Sequence, residues 1–165
     1  MNSKLKLTLI PAAILLFMGT DTRMAHAQGN KTASDSGCPV LTSAMVEKVL
    51  GQKVQSSPAQ QALPMYGGGA SGWSCTYRGA GARIDFSVYT ETSSAEAKRQ
   101  FEKYSVAADD SKGKPSIGDS AYWVTDAKQE PYLYVLKGKV HFSIGMRLPN
   151  ETQMKSLAVA AASGI

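Results

Sequence analysis

The chain is poor in the residues that build metal sites and disulfide-rich modules. It has 2 cysteines and 2 histidines among 165 residues, which excludes a multi-cysteine zinc module and a disulfide-dense miniprotein. After the N-terminal segment there is no apolar run of the roughly 18 residues that a membrane span requires. A hydrophobic content of 43% excludes a disordered tail. What remains is a chain with a core large enough for one small folded domain.

The N-terminus has the order of a secretory signal peptide. Lys4 and Lys6 precede an apolar run from Leu7 to Gly19, and Ala25-His26-Ala27 follows a short polar stretch. This order predicts cleavage after Ala27, with a retained membrane anchor as the alternative. We expect residues 28–37 to form a flexible leader, residues 38–165 to form a single domain, and the protein to be periplasmic or secreted, without stable membrane insertion after cleavage.

Much of the positive charge belongs to the segment that we expect to be removed. The net charge of the whole chain is +5, and cleavage lowers it to about +3, because the segment holds three basic residues and Asp21. The other lysines are scattered, and no basic stripe with interleaved aromatics occurs. The sequence therefore does not favour a nucleic-acid partner.

Cys38 and Cys75 are the only cysteines. In an oxidising compartment such a pair predicts one disulfide, which would contribute roughly 4 kcal/mol by loop entropy. Free or catalytic thiols are the alternative, although there is no C-x-x-C spacing that would indicate redox chemistry.

Periodicity and capping residues predict an α+β domain with a mostly antiparallel sheet covered by two or three helices. Helices are expected at 43–50, 94–108 and 151–162, and strands at 73–78, 83–90, 119–125, 131–136 and 140–147. Residues 55–72, with Pro58, Pro64 and three consecutive glycines, are expected to form a long loop.

The two halves of the domain have similar patterns. Arg83–Val88 aligns with Lys139–Ile144, about 56 residues later, and each hairpin leads into a capped helix. The alignment indicates two similar hairpin-helix halves. Convergent strand patterning is the alternative.

No motif in the sequence carries recognisable chemistry. His141 lies in a strand, between Val140 and Phe142, and is expected to be a surface residue on the face opposite the core. A triad of Ser143, His141 and Asp119 is formally conceivable, but no G-x-S-x-G elbow supports it. We expect no catalytic residues, no metal site and no cofactor.

Aromatic side chains are the remaining indication of a binding surface. If helices cover only one face of the sheet, some aromatic residues are exposed on the other face, where they would favour contact with a ligand or a protein. Packing in the core is the alternative. The candidate surface comprises the Met65–Trp73 loop and the open sheet face, with Tyr66, Trp73, Trp123, Tyr132 and Tyr134.

Three short segments resemble a known group of domains. Cys38-Pro39-Val40-Leu41-Thr42 leads into a helix that ends Val49-Leu50-Gly51, Cys75-Thr76-Tyr77 lies in a strand, and Ile117–Trp123 contains a Gly-Asp turn. Together they resemble the small exported domains of unknown function found among actinobacterial lipoproteins, whose fold is similar to PsbP. The resemblance covers 38–162 and implies a disulfide and a binding or accessory module. This chain lacks the lipobox cysteine of that group.

These observations predict an exported soluble protein that binds a protein partner or an envelope ligand without catalysis. An inhibitor or immunity-type protein is one specific form of this prediction. A hydrolytic enzyme whose site is assembled from distant residues, and a structural envelope component, are the alternatives.

Overall fold

The computed structural model describes residues 38–62, 70–79, 81–147 and 150–165. The expected signal peptide (1–27) and leader (28–37) lie outside these residues, as do residues 63–69. Within the described residues the structure has three α-helices and seven strands: α1 (Ser43–Leu50), β1 (Gln55–Ser56), β2 (Gln60–Ala62), β3 (Ser71–Gly79), β4 (Ala82–Thr90), α2 (Ser94–Tyr104), β5 (Ser120–Thr125), β6 (Pro131–Lys137), β7 (Val140–Arg147) and α3 (Glu151–Ser163). None of these helices is long and apolar enough to cross a membrane.

The helices begin where the sequence places capping side chains. Thr42, Ser93 and Asn150 each accept a hydrogen bond from a backbone N–H in the first turn of α1, α2 and α3. α1 ends at Gly51, whose φ of 69° is left-handed, a conformation that glycine adopts without steric cost. The predicted second helix is too long, because the α-helix ends at Tyr104 and a 3₁₀ turn follows at Ser105–Ala107.

The seven strands form one antiparallel sheet in the order β1-β3-β4-β7-β6-β5, with β2 also paired to β3. Every pairing between these strands is antiparallel. The predicted α+β class is thereby confirmed. The expected loop at 55–72 differs in detail, because its described part contains the short strands β1 and β2.

The main core lies on the face of the sheet that packs against α1 and α3, called here the core face. Alternate strand residues such as Phe86, Trp123, Val135 and Phe142 are buried there with Val46 of α1 and the inward residues of α3. At about 1.5–3 kcal/mol for each fully buried large apolar side chain, this burial is the main stabilising contribution of the fold.

The opposite face is partly covered by α2 and is called here the α2 face. Ala97 and Phe101 of α2 pack on Tyr122 and Leu136, and the Tyr122 hydroxyl donates a hydrogen bond of 2.8 Å to the Phe101 carbonyl. Helices therefore lie on both faces of the sheet. α2 lies over β6 and the start of β7, and the part of this face around Ser87 and Ser143 remains accessible.

The two strands that align in the sequence pair with each other at the centre of the sheet. Ser87 of β4 lies opposite Ser143 of β7, and these two residues are also equivalent in the sequence alignment. An approximate two-fold axis therefore passes between them. The helices break this relation, because α2 and α3 lie on opposite faces.

The segment before α1 is fixed to the sheet by the predicted disulfide. Cys38 and Cys75 are bonded, with Cα atoms 5.8 Å apart, within the usual range for disulfides. Nearby, the Tyr77 hydroxyl donates to the Leu41 carbonyl. Both contacts hold the start of α1 against β3.

The Gly-Asp turn noted in the sequence lies just before β5 and contacts the end of β6 and the β6–β7 turn. Gly118 has a φ of 63° and is so close to the Leu136 carbonyl that a side chain would collide with it. Asp119 donates from its backbone N–H to the same carbonyl at 2.7 Å and accepts from the Gly138 N–H at 2.7 Å. The motif is therefore a structural corner.

Candidate functional site

The sequence-predicted surface residues do not form one surface. Trp123 is fully buried in the core (0% exposed), so it cannot contact a partner. Trp73 is 41% exposed but pairs with Val88 and therefore belongs to the core face. Tyr66 lies outside the described residues.

Tyr132 and Tyr134 do lie together, on the α2 face. Tyr132 pairs with Gly145 and Tyr134 with Ser143, so both side chains point away from the core. Each is half-buried. They form one wall of a depression in the middle of this face.

A continuous row of aromatic rings crosses the α2 face. His141 stacks on Tyr89 at 5.2 Å between ring centroids and lies 6.2 Å from Tyr104. Tyr134 stacks between Tyr104 and Tyr122, at 5.5 Å from each. These separations are in the favourable range for aromatic pairs, so neighbouring rings hold one another in place.

The depression, called here the tyrosine cleft, has a volume of about 180 Å³. Four tyrosines form its walls, with two serines and a histidine between them: Tyr89, Tyr104, Tyr132, Tyr134, Ser87, Ser143 and His141, with Phe142 also in contact. An aromatic enclosure with a few polar groups is typical of small-molecule sites.

The cleft exists because serine and glycine residues of the strands lie beneath the tyrosine rings. Ser87 and Ser143 are paired at the centre of the sheet, where larger side chains would fill the cleft. A Cβ on Gly145 would lie 2.8 Å from Tyr132 Cδ1, and a Cβ on Gly72 would lie 2.6 Å from Tyr89 Cε1. Both rings can therefore lie close to the sheet only because glycine is beneath them.

A buried carboxylate and an imidazole lie behind the cleft. Glu91 Oε1 and His141 Nε2 are 3.0 Å apart, and both side chains are almost fully buried. The other carboxylate oxygen, Oε2, has no hydrogen-bond partner among the described residues. Because His141 also lines the cleft, the imidazole lies between the cleft and Glu91.

This pair corrects the prediction for His141. The strand alternation correctly places it opposite the core, but it is 4% exposed instead of being a surface residue, because α2 and Tyr89 cover it. Glu91 was not among the predicted site residues, and it is 50 residues from His141 in the chain. Only the β4–β7 register, which places Tyr89 opposite His141, could have indicated that the two are close.

Burial lowers the pKa of His141 below its usual value, and the hydrogen bond and charge of Glu91 oppose that shift only in part. The phenol pKa values of Tyr89 and Tyr132 are raised, chiefly by burial. At neutral pH these shifts favour a neutral His141 imidazole and neutral Tyr89 and Tyr132 phenols.

The structure does not assemble the formal triad of Ser143, His141 and Asp119. Asp119 is engaged in the corner with Gly138, and the carboxylate beside His141 is that of Glu91. Within the described residues neither Ser87 nor Ser143 hydrogen-bonds to His141. No group of three metal-ligating side chains occurs in this part of the chain either.

A larger depression of about 340 Å³ lies where α2 meets β5. Its rim carries charges of both signs, including Lys98, Glu102, Asp110 and Lys114, and Val106 beside it is 90% exposed. It has no comparable row of stacked aromatics. The tyrosine cleft is therefore the better candidate site.

We expect protonation of His141 to destabilise the fold. Because the folded state holds this imidazole at a lowered pKa, the unfolded chain binds a proton that the folded protein does not between that pKa and about 6.5. The free energy of unfolding should therefore fall as the pH drops below 6.5. Urea unfolding of wild type and His141→Gln at pH 7 and pH 5 measures this effect.

The glutamine variant should lose less stability over this interval, since its amide can donate to Glu91 without titrating. Three carboxylates could also change the stability with pH. Hydrogen bonds lower the pKa values of Glu47, Glu96 and Asp109, so the stabilisation that they contribute is lost mainly below the interval from pH 7 to pH 5. An identical loss in both proteins between pH 7 and pH 5 would contradict the assignment.

Comparison with known proteins gives one structural match. No protein-family model and no curated protein match the chain. A crystal structure of the extracellular domain of PknH from Mycobacterium tuberculosis is similar, with a TM-score of 0.53 and 12% identity over 76% of this chain and 91% of that chain. At this identity the match shows a shared fold. The match supports the resemblance to exported actinobacterial domains in fold alone. The PsbP-like fold stays a prediction.

Proposed function

We propose that the protein is an exported, non-catalytic binding module whose recognition site is the tyrosine cleft. The observation that carries the proposal is the cleft itself: four tyrosines enclose a polar floor on a rigid antiparallel sheet. The cleft lies on strands, which hold side chains more precisely than loops do.

Export is supported by three independent features. The N-terminal segment has the order of a signal peptide, and Cys38 and Cys75 form a disulfide, which persists in oxidising compartments. The structural match is to an extracellular domain. We therefore propose a periplasmic or secreted location.

Binding without catalysis is favoured by the hydrogen bonding and burial of the polar side chains in and behind the cleft. Ser87 and Ser143 have no hydrogen bond to His141 within the described residues, so the imidazole activates neither of these two serines as a nucleophile. The carboxylate behind His141 is buried away from the cleft lining. The side chains of the cleft can hold a ligand, and we propose that they do so without catalysis.

The shape of the cleft favours a small ligand over a flat protein partner. Small-molecule sites are concave, with a mostly aromatic or apolar lining and a few polar groups, and this cleft of about 180 Å³ has that form. A protein partner could still insert one side chain here, and this is the form that an inhibitor or immunity-type role would take.

Replacing Tyr132 with alanine should weaken ligand binding about tenfold or more, because stacking on such a ring contributes about 1 kcal/mol beyond its buried area. Binding is measured by calorimetry with N-acetylglucosamine, choline, inorganic phosphate and the dipeptide Ala-Ala as probes. Mass spectrometry of the recovered probe tests whether it is unchanged.

Trp73→Ala is the matched control, since Trp73 is an aromatic residue on the other face. The proposal requires that at least one probe binds wild type and Trp73→Ala equally, that Tyr132→Ala binds it more weakly, and that it is recovered intact. Equal weakening by both substitutions, turnover of the probe, or binding of no probe would contradict it.

A further inference from the structure

We infer that the tyrosine cleft takes the quaternary ammonium group of a small organic cation, an assignment that rests on the binding function proposed above. Four observations support it: the composition of the cleft lining, the buried carboxylate behind it, the carboxylates that act on Tyr132, and the size of the cleft.

The lining is aromatic and contains no competing cation. Its residues include four tyrosines and neither lysine nor arginine. Because Tyr134 is stacked between Tyr104 and Tyr122, and Tyr89 on His141, Tyr132 is the ring best placed to offer its face to a ligand. The face of a tyrosine ring attracts a cation, and aromatic enclosures recognise quaternary ammonium groups in this way. A quaternary ammonium ion has no N–H to donate, so it needs no acceptor at each corner of the cleft.

The carboxylate behind the cleft lacks compensation. Glu91 is buried, and its Oε2 has no hydrogen-bond partner among the described residues. Leaving a buried polar atom unpaired is costly, and a cation held in the cleft would lie one imidazole ring away from this carboxylate. The ligand has no N–H to donate to Oε2, so it would act on this carboxylate through its positive charge alone.

Further carboxylates lie near the outer end of the cleft. Asp126, Asp85 and Glu130 act electrostatically on Tyr132, opposed by Arg83. Arg83 and Asp85 are paired at 2.9 Å and compensate each other, which leaves the charges of Asp126 and Glu130. The potential around Tyr132 therefore also favours a positive ligand.

The volume limits the ligand to a small group. About 180 Å³ is below the roughly 300–1,000 Å³ of typical ligand pockets and suits a compact group such as trimethylammonium with a short arm. Nucleotides and drug-sized molecules require pockets of about 300 Å³ or more.

The first test compares choline with 3,3-dimethylbutan-1-ol, its uncharged isostere, by calorimetry on the wild-type protein. The two probes have the same shape, so a difference in affinity reports the charge. We expect choline to bind roughly tenfold more tightly or better. Equal affinity would overturn the inference. The comparison uses only the wild-type protein, so it does not require any variant to fold.

The second test removes the buried carboxylate while keeping its shape. Glu91→Gln should lose most of the preference for choline over the isostere. Glu102→Gln is the matched control, because Glu102 is an exposed residue of α2 that lines the larger depression and should keep the preference. A preference that Glu91→Gln retains in full would overturn the role of the carboxylate.

Vesicles distinguish the source of the quaternary ammonium group. Binding of free choline, with no binding to phosphatidylcholine vesicles, indicates a small soluble ligand. Binding to phosphatidylcholine but not to phosphatidylglycerol vesicles would overturn the soluble source and assign the group to a lipid. If N-acetylglucosamine binds in a Tyr132-dependent manner and choline does not, the proposed function stands and this inference fails.

Discussion

Replacing Trp123 with alanine should lower the free energy of unfolding by about 3–5 kcal/mol, the usual cost of deleting a large aromatic side chain from a core. Trp123 is 0% exposed and lies among the apolar residues of the core face. Chemical denaturation of the purified variant measures the effect, and a variant that does not fold at all would agree with the same placement.

Two further variants separate the contributions of Trp123. Its indole Nε1 has no hydrogen-bond partner among the described residues, so Trp123→Phe removes an unpaired donor while keeping a ring and should cost less than the alanine change. Trp73→Ala, on an exposed tryptophan, should cost less than about 1 kcal/mol. A stable Trp123→Ala protein that had lost ligand binding would show instead that Trp123 belongs to a binding surface.

Removing the disulfide should lower the free energy of unfolding by an amount similar to that expected for Trp123→Ala. Cys38 and Cys75 are separated by 37 positions, for which loop entropy predicts a loss of about 4 kcal/mol in the double variant Cys38→Ala, Cys75→Ala. The thermal midpoint should fall by about 10–20 °C. Differential scanning calorimetry of the variant and of the oxidised wild type measures both quantities.

The wild type provides the control for this experiment. When purified under oxidising conditions it should show no free thiol before or after unfolding, and reduction should reproduce most of the loss seen in the double variant. Two reactive thiols in the folded wild type, or an unchanged midpoint in the variant, would contradict a stabilising disulfide.

The secondary structure was largely predictable because it is determined by local features. Thr42, Ser93 and Asn150 are side chains that satisfy the free N–H groups of a first helical turn, and each begins a helix. Alternation in 83–90 and 140–147 predicted the two central strands, which bury Phe86 and Phe142. These signals act within a few residues and need no knowledge of the tertiary fold.

Which face of the sheet each aromatic residue occupies was not predictable from the sequence alone. Tyr122 and Trp123 are adjacent and both apolar, so the alternation of β5 does not indicate which of them points inward. Both are buried, because α2 covers one face of this strand and α3 the other. The expectation of helices on one face only led directly to the placement of Trp123 on a binding surface.

The candidate site depends on contacts between residues far apart in the chain. Glu91 and His141 meet only because β4 pairs with β7, and the cleft opens only because α2 leaves the middle of the sheet uncovered. Tyr132 and Tyr134 could be singled out from their alternation and chemical type. The glycines that allow the rings to lie flat, Gly72 and Gly145, become meaningful only once the register is known.

The most direct test of the central claim is to capture small molecules with the protein itself. The full chain, as released by an exporting host, is incubated with the small-molecule fraction of an envelope extract and gel-filtered, and the ligands released on denaturation are identified by mass spectrometry. We expect one class of small molecule, retained near one per chain by wild type and Trp73→Ala and absent from Tyr132→Ala. Retention of nothing, or equal retention by Tyr132→Ala, would contradict it.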